Sequence, residues 1–129
     1  MKVRSYDALT DYDKILSLVK QEKLTALYRK DKSVYKESLS NSESFVLEND
    51  EKEIIGYMRC ISDFTYTTYV MEVVCKDGED KLQVYGKLLE KAERLAIHGS
   101  CNIITDDEDT EEFYSKLGFK QIGIGMRKK

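Results

Sequence analysis

A long amphipathic helix between two apolar strands is the feature that most constrains how this chain can fold. Apolar side chains recur at intervals of three and four residues, which is typical of one buried helix face: Leu82, Tyr85, Leu88, Leu89, Ala92, Leu95 and Ala96. Tyr66–Cys75, dense in Tyr and Val, predicts a long strand before this helix, and Asn102–Thr105 predicts a short strand after it. We expect this unit to be a right-handed crossover that joins two parallel strands.

The first half of the chain predicts a strand, two helices and a hairpin. These are a strand at Lys2–Tyr6, a helix with the apolar stripe Ile15, Leu16, Val19 and Leu27, a helix at Ser33–Leu39, and strands at Phe45–Glu48 and Ile54–Ile61. Thr10 can cap the first helix, because its side-chain oxygen can accept a backbone N–H of the first turn. The short polar segment between the last two strands predicts an antiparallel hairpin.

The C-terminal part predicts a helix at Asp107–Leu117 and a strand at Phe119–Met126. Gly99 and Gly118 each follow a predicted helix and suit the left-handed position that ends one. The element order is therefore β-α-α-β-β-β-α-β-α-β. An antiparallel hairpin beside a parallel crossover predicts an α/β (α+β) fold, with helices on both faces of a mixed central sheet. The length of 129 residues fits one domain, residues 1–129.

Composition argues against several classes of function. The chain has 21 Lys and Arg against 24 Asp and Glu, a formal net charge of −3, so no positive field attracts nucleic acid. No strictly apolar run exceeds three residues, which argues against a membrane-spanning helix and against a secretion signal. The three cysteines, Cys60, Cys75 and Cys101, show no CxxC spacing. They indicate free buried thiols in a reducing, cytoplasmic environment.

Two other features predict no metal site. Asp106–Glu112 is strongly acidic but lacks the glycine of a calcium loop, so we interpret it as the acidic start of a helix. His98 is the single histidine, and without paired cysteines a zinc site is not expected. Four tyrosines can either hold an amine by cation–π contact or pack in the core: Tyr28, Tyr35, Tyr66 and Tyr69.

The segment from Phe113 to Phe119 reads F-Y-S-K-L-G-F and resembles a motif of the GNAT N-acetyltransferase family, F-Y-x-K-L-G-F. Two further segments look like that family's third and fourth strands, namely Ile55–Arg59 and Tyr69–Val73. The resemblance follows the element order over nearly the whole chain. It implies a GNAT-like fold in which the fourth and fifth strands splay apart and acetyl-CoA lies between them.

The resemblance also implies roles for individual residues. The pantetheine arm of acetyl-CoA would pair with the backbone of Val73, Val74 and Cys75. Tyr114 matches a tyrosine that protonates the leaving thiolate; the alternative is a core-packing tyrosine with its hydroxyl at the surface. Asp107 matches an Asn or Asp that hydrogen-bonds the pantetheine. If the strand alternates regularly, Glu72 faces the cleft and can orient or deprotonate an amine. Alternatively, Glu72 is an exposed strand residue without a role in the reaction.

The loop that would hold the pyrophosphate departs from the family pattern, Gln/Arg-x-x-Gly-x-Gly/Ala. One alignment puts Asp80 at the Gln/Arg position and Gln83 and Tyr85 at the two glycine positions. A shift by one residue puts Lys81 at the Gln/Arg position and Val84 and Gly86 at the glycine positions. Both alignments stay open. Glycines matter here because the backbone must approach the phosphates closely, and nearby acidic residues repel them. The cofactor candidates of this segment are Lys81, Gln83, Val84, Tyr85 and Gly86.

Two functions follow from these observations. The first is an acetyl-CoA-dependent N-acetyltransferase that acts on an amine of a small molecule or a protein. The alternative is a GNAT-shaped binding or regulatory module that has lost normal CoA binding. The resemblance implies that the acceptor site lies within Leu9–Ser44 and Phe64–Tyr69, and that a homodimer can form through Phe119–Met126.

Overall fold

The computed structural model describes residues 1–21, 32–105 and 108–128. Five strands and four helices lie in these ranges. In chain order they are β1 (Lys2–Ser5), α1 (Tyr12–Gln21), α2 (Lys32–Ser40), β2 (Glu43–Glu48), β3 (Ile54–Ser62), β4 (Thr67–Cys75), α3 (Lys81–Leu95), β5 (Ser100–Ile103) and α4 (Glu108–Ser115).

The five strands form one mixed sheet in the order β1-β2-β3-β4-β5. The first three pairings are antiparallel, and β4 pairs with β5 in parallel, as the strand–helix–strand unit predicts. The hairpin between β2 and β3 is also confirmed. Its turn is held by the Asn49 side chain, which accepts the backbone N–H groups of Glu51 and Glu53 at 3.0 and 2.9 Å.

Helices cover both faces of the sheet, so the predicted fold class is confirmed. Strand side chains alternate between two cores: Phe45 and Leu47 pack with α3 and α4 on one face, whereas Val46 packs with α1 and α2 on the other. The central stripe of α3 supplies the buried side chains Val84, Tyr85, Leu88, Leu89 and Ala92. Its packing against β3 and β4 positions the start of α3 beside the end of β4.

The predicted last strand is wrong. Within the described residues, 119–126 forms no strand, and the side chains of Ile122, Ile124 and Met126 are 77%, 88% and 94% exposed. Their alternation with Gly123 and Gly125 has the period of a strand. Alternation makes a strand only where a neighbouring strand pairs with it, and glycines weaken the preference further.

Two predicted helix ends are also corrected. Helix α1 begins at Tyr12, directly after Asp11, so Thr10 is not its cap; the buried Asp11 carboxylate instead accepts hydrogen bonds from the Arg4 guanidinium at 2.7 and 2.9 Å. Helix α3 ends at Leu95, and Gly99 is not in the left-handed region. A Cβ on Gly99 would lie 1.6 Å from the carbonyl oxygen of Tyr66, so this glycine permits a close backbone approach.

The last helix ends at Ser115, two residues before the predicted Leu117, but the left-handed glycine predicted after it is confirmed. Gly118 follows α4 with φ +92°, a conformation that glycine adopts without strain. The predicted stripe residue Leu27 lies outside the described residues.

Candidate functional site

The sheet opens between β4 and β5. The two strands pair from Thr67 opposite Ser100 to Val70 opposite Ile103. Strand β5 ends there, whereas β4 continues to Cys75. We call the opening beside residues 71–75 of β4 the gap. It corresponds to the splayed strands that the GNAT resemblance implies.

Hydrogen bonding to β3 shows which backbone groups of β4 face the gap. The Lys76 N–H donates to the Ile55 carbonyl at 2.9 Å, so residue 76 directs its backbone groups toward β3. In an antiparallel pair this direction alternates along the strand, so Val74 also faces β3, while Val73 and Cys75 face the gap. The Val74 side chain meanwhile packs on the α1 and α2 face. Of the three residues predicted to pair with a pantetheine arm, the geometry thus brings Val73 and Cys75 to the gap and turns Val74 away.

Tyr85 reaches the gap from α3. Its hydroxyl donates to the Val73 carbonyl at 2.9 Å, and its ring is buried. The Lys81 ammonium lies 5.2 Å from the centre of the Tyr85 ring and 5.1 Å from that of Phe113. Lys81, at the first position of α3, therefore places a cation beside the Tyr85 ring.

The start of α3 carries its own negative charge. Asp80 is the N-cap of the helix, and its carboxylate accepts the Gln83 N–H at 3.2 Å. The preceding loop turns at Gly78, with φ +88°, and exposes Asp77 and Glu79. Unpaired N–H groups at a helix start bind anions, but here a carboxylate already takes one of them. A carboxylate therefore already occupies one of the hydrogen-bonding positions at the start of α3.

The other two residues of the alternative alignment do not face the loop. The Val84 side chain is fully buried, and a Cβ on Gly56 would lie 2.5 Å from its Cγ1 atom. Gly86 lies within the helix, where a Cβ would meet Leu117 at the ordinary contact distance of 3.5 Å. Val84 is thus a core residue, and Gly86 faces the segment after α4 rather than the start of α3.

Tyr114 lies in α4 on the same face of the sheet as Tyr85. Its side chain is 9% exposed, and its ring centre lies 6.2 Å from that of Tyr85, 5.4 Å from Phe113 and 5.7 Å from Phe119. Tyr114 also lines an open cavity of about 730 Å³ between β5, α4 and residues 118–125. It is thus a rigidly packed aromatic residue beside β5.

Glu72 lies on the opposite face, in a hydrogen-bonded network. Its Oε1 atom accepts from Arg59 Nη2 at 2.8 Å and Nε at 3.0 Å, and its Oε2 atom accepts from the Tyr35 hydroxyl at 2.8 Å. The Tyr35 and Tyr57 hydroxyls lie 3.0 Å apart; because Tyr35 donates to the carboxylate, Tyr57 is the donor to Tyr35. Glu72 is therefore neither an exposed strand residue nor a carboxylate without partners.

Burial and charge shift the pKa values in this network. Burial, and then the Glu72 charge, raise the pKa of Tyr35, and burial raises the pKa of Tyr57 well above its usual value. Burial opposes the charged form of Arg59, but Glu72 outweighs it and raises the pKa of the guanidinium. Both phenols therefore stay neutral and Arg59 stays cationic near neutral pH.

Sequence reasoning did not identify Arg59 or Tyr57 as part of this site. Arg59 and Glu72 are opposite each other in the β3–β4 register, and opposite charges at such positions attract. The signal becomes visible only once the register is known. Of the four tyrosines considered for amine binding, Tyr35 is buried in the network, Tyr66 is exposed, Tyr69 is half-buried and Tyr28 lies outside the described residues.

Asp107 and the three cysteines are the remaining candidate residues. Asp107 lies outside the described residues. Cys60, Cys75 and Cys101 are not joined in disulfides, and burial raises the pKa of Cys60 to about 12 and that of Cys101 to about 11. In the described ranges, no group of three or more His, Cys, Asp or Glu side chains could hold a metal ion. None of the helices seen there has the length and apolar character to cross a membrane.

Comparisons with known proteins agree with this architecture. Residues 9–119 match the model of the acetyltransferase (GNAT) family. The chain matches none of the curated proteins with which it was compared.

Solved structures share the fold at low sequence identity. AAC(6')-Iy in complex with the bisubstrate analog CoA-S-monomethyl-acetylneamine has a TM-score of 0.72 and 15% identity, with 99% of this chain and 97% of that chain covered. Aminoglycoside 6'-acetyltransferase type Ii has a TM-score of 0.70 and 22% identity, over 95% and 85% of the two chains. A GNAT family acetyltransferase from Streptococcus pneumoniae TIGR4 has a TM-score of 0.71 and 15% identity, over 99% and 98%.

Proposed function

Because the chain belongs to the GNAT acetyltransferase family, we propose that it is an N-acetyltransferase that moves an acetyl group from acetyl-CoA to an amine of a small molecule or a protein. The observation that carries this proposal is the gap, where the backbone groups of Val73 and Cys75 face away from β3. Such groups can pair with the amides of a pantetheine arm as a neighbouring strand would.

Acetyl-CoA supplies an acetyl group already activated as a thioester. Val73 and Cys75 would bind and orient its arm. Tyr114 would donate a proton to the sulfur as the amine nitrogen bonds to the acetyl carbon and the carbon–sulfur bond breaks. The proton that the amine loses would pass to water, from which Tyr114 would recover its own. Glu72, with both oxygens hydrogen-bonded, would orient Arg59 and Tyr35 on the acceptor side rather than act as a base. A ligand that passes through the gap has Tyr114 on one face of the sheet and Glu72 on the other. Catalysis of this kind depends mainly on positioning.

The experiment has a binding arm and an activity arm. Calorimetry measures the affinity of the purified chain for CoA, and a thiol assay measures CoA release from acetyl-CoA in the presence of polyamines, aminoglycosides and a lysine peptide. We expect CoA to bind and at least one amine to increase thiol release. Absence of both would contradict the proposal.

The alternative, a GNAT-shaped binding module without CoA, gains no support from the comparisons. One structural observation favours it, namely the Asp80 carboxylate at the start of α3, where a pyrophosphate would need the N–H groups. The same calorimetry decides between the two functions. Micromolar CoA binding would contradict the module.

Exposed apolar side chains after α4 suggest contact between two copies of the chain. We propose that residues 119–126 pair with a second copy, because Ile122, Ile124 and Met126 are exposed beside the cavity along β5. Light scattering should then show a dimer that Ile124→Asp weakens and that Leu9→Asp, at a similarly exposed position, leaves intact. A monomer at all concentrations would contradict this proposal.

A cytoplasmic location is also proposed, since Cys60, Cys75 and Cys101 are not joined in disulfides, as is usual in a reducing compartment. Cell fractionation tests this location, and recovery of the protein in a secreted fraction would contradict it.

A further inference from the structure

Tyr85 joins α3 to the backbone of β4 at the gap. Its hydroxyl donates to the Val73 carbonyl at 2.9 Å, and its side chain is 5% exposed. Because the backbone groups of Val73 point away from β3, this carbonyl is the one that an amide N–H of an incoming arm would use. The bond is therefore made by the chain itself at the place where a ligand would pair.

We propose that Tyr85 is a latch on the gap, which satisfies the Val73 carbonyl in the ligand-free protein and gives way when an amide N–H of CoA pairs there. The inference rests on the proposed function. A buried carbonyl without a partner is costly, so the Tyr85 hydroxyl stabilises the ligand-free state. The same stabilisation is lost on binding and weakens the affinity for the arm.

Lys81 strengthens the latch. Its ammonium lies 5.2 Å from the centre of the Tyr85 ring and 5.1 Å from that of Phe113, so cation–π attraction favours the observed ring position. An anion at the start of α3 would attract the same ammonium. Binding of the phosphates and release of the Tyr85 ring are therefore coupled through Lys81.

Removal of the hydroxyl tests the latch. Calorimetry should compare wild type, Tyr85→Phe and Tyr6→Phe with two probes, CoA and pantetheine. Tyr6→Phe is the matched control, because the Tyr6 hydroxyl is buried and has no hydrogen-bond partner among the described residues. We expect Tyr85→Phe to lower the Kd for both probes by about five- to tenfold and to lower the Tm, and the control to bind as wild type does.

Three outcomes would overturn the latch. CoA affinity that is equal in wild type and Tyr85→Phe would mean that the carbonyl accepts both donors at once, and the proposed function would stand without the latch. Weaker binding by Tyr85→Phe would mean that the hydroxyl assists the ligand. CoA binding by none of the proteins would overturn the latch, and together with a negative thiol assay it would overturn the proposed function as well. If Tyr85→Phe does not fold, Tyr85→Met removes the hydroxyl from the same position and is judged by the same outcomes.

Discussion

At the scale of single residues, Tyr114 is the candidate proton donor and also a packed aromatic side chain. Its ring contacts Tyr85, Phe113 and Phe119, so Tyr114→Phe keeps the packing and removes only the hydroxyl. We expect kcat for acetyl transfer to fall about 100-fold with little change in KM or Tm, because general acids contribute on this scale. The thiol assay checks this, with Tyr6→Phe as the control. Unchanged kcat would remove Tyr114 from the mechanism.

Glu72 and Arg59 should depend on each other for stability. Their side chains are 15% and 11% exposed and joined by two hydrogen bonds, so the loss of one partner leaves the other charge without compensation. Urea unfolding of Glu72→Gln and of Arg59→Met should show a loss of about 2 kcal/mol each. The double variant should lose about 1 kcal/mol less than the sum of the two. Additive losses would show that the pair is not coupled.

At the scale of elements, we expect the charges at the start of α3 to influence how tightly the phosphates of CoA bind. Asn caps a helix as well as Asp does, so Asp80→Asn should leave the Tm nearly unchanged. It removes a negative charge whose repulsion of a nearby anion is worth about 1 kcal/mol, so the Kd for CoA should fall about fivefold. Calorimetry measures this change, and Glu51→Gln in the β2–β3 turn is the control. An unchanged Kd would place the phosphates away from this helix.

At the scale of the whole molecule, Gly56 sets the distance between α3 and the sheet. A Cβ there would lie 2.5 Å from the Val84 Cγ1 atom and 3.2 Å from the Leu88 Cδ1 atom. Gly56→Ala should therefore lower the free energy of unfolding by about 2 kcal/mol, as overpacking does in well-packed cores. Val84→Ala in the same chain should recover part of this loss, and Gly123→Ala, which meets no atom within 4 Å, should have little effect. Urea unfolding compares these three variants with the wild type. If Gly56→Ala has no effect on the free energy of unfolding, α3 shifts freely.

Features that depend on local patterns were predicted from the order of the residues alone. The helical spacing from Leu82 to Ala96 predicted α3, the strands beside it predicted the parallel pair, and the segment from Phe113 to Phe119 indicated the family. Such features are encoded in neighbouring residues, because side-chain periodicity reports which face of an element is buried.

Features that depend on strand register and on partners distant in the sequence became visible only in the folded chain. The β3–β4 register pairs Arg59 with Glu72 and turns Val74 away from the gap, and the packing of α3 brings the Tyr85 hydroxyl to the Val73 carbonyl. Ile122 and Ile124 alternate like a strand but pair with no strand among the described residues, and a strand forms only against a neighbour. A shift of one residue in register reverses every such assignment, and local patterns do not determine that shift.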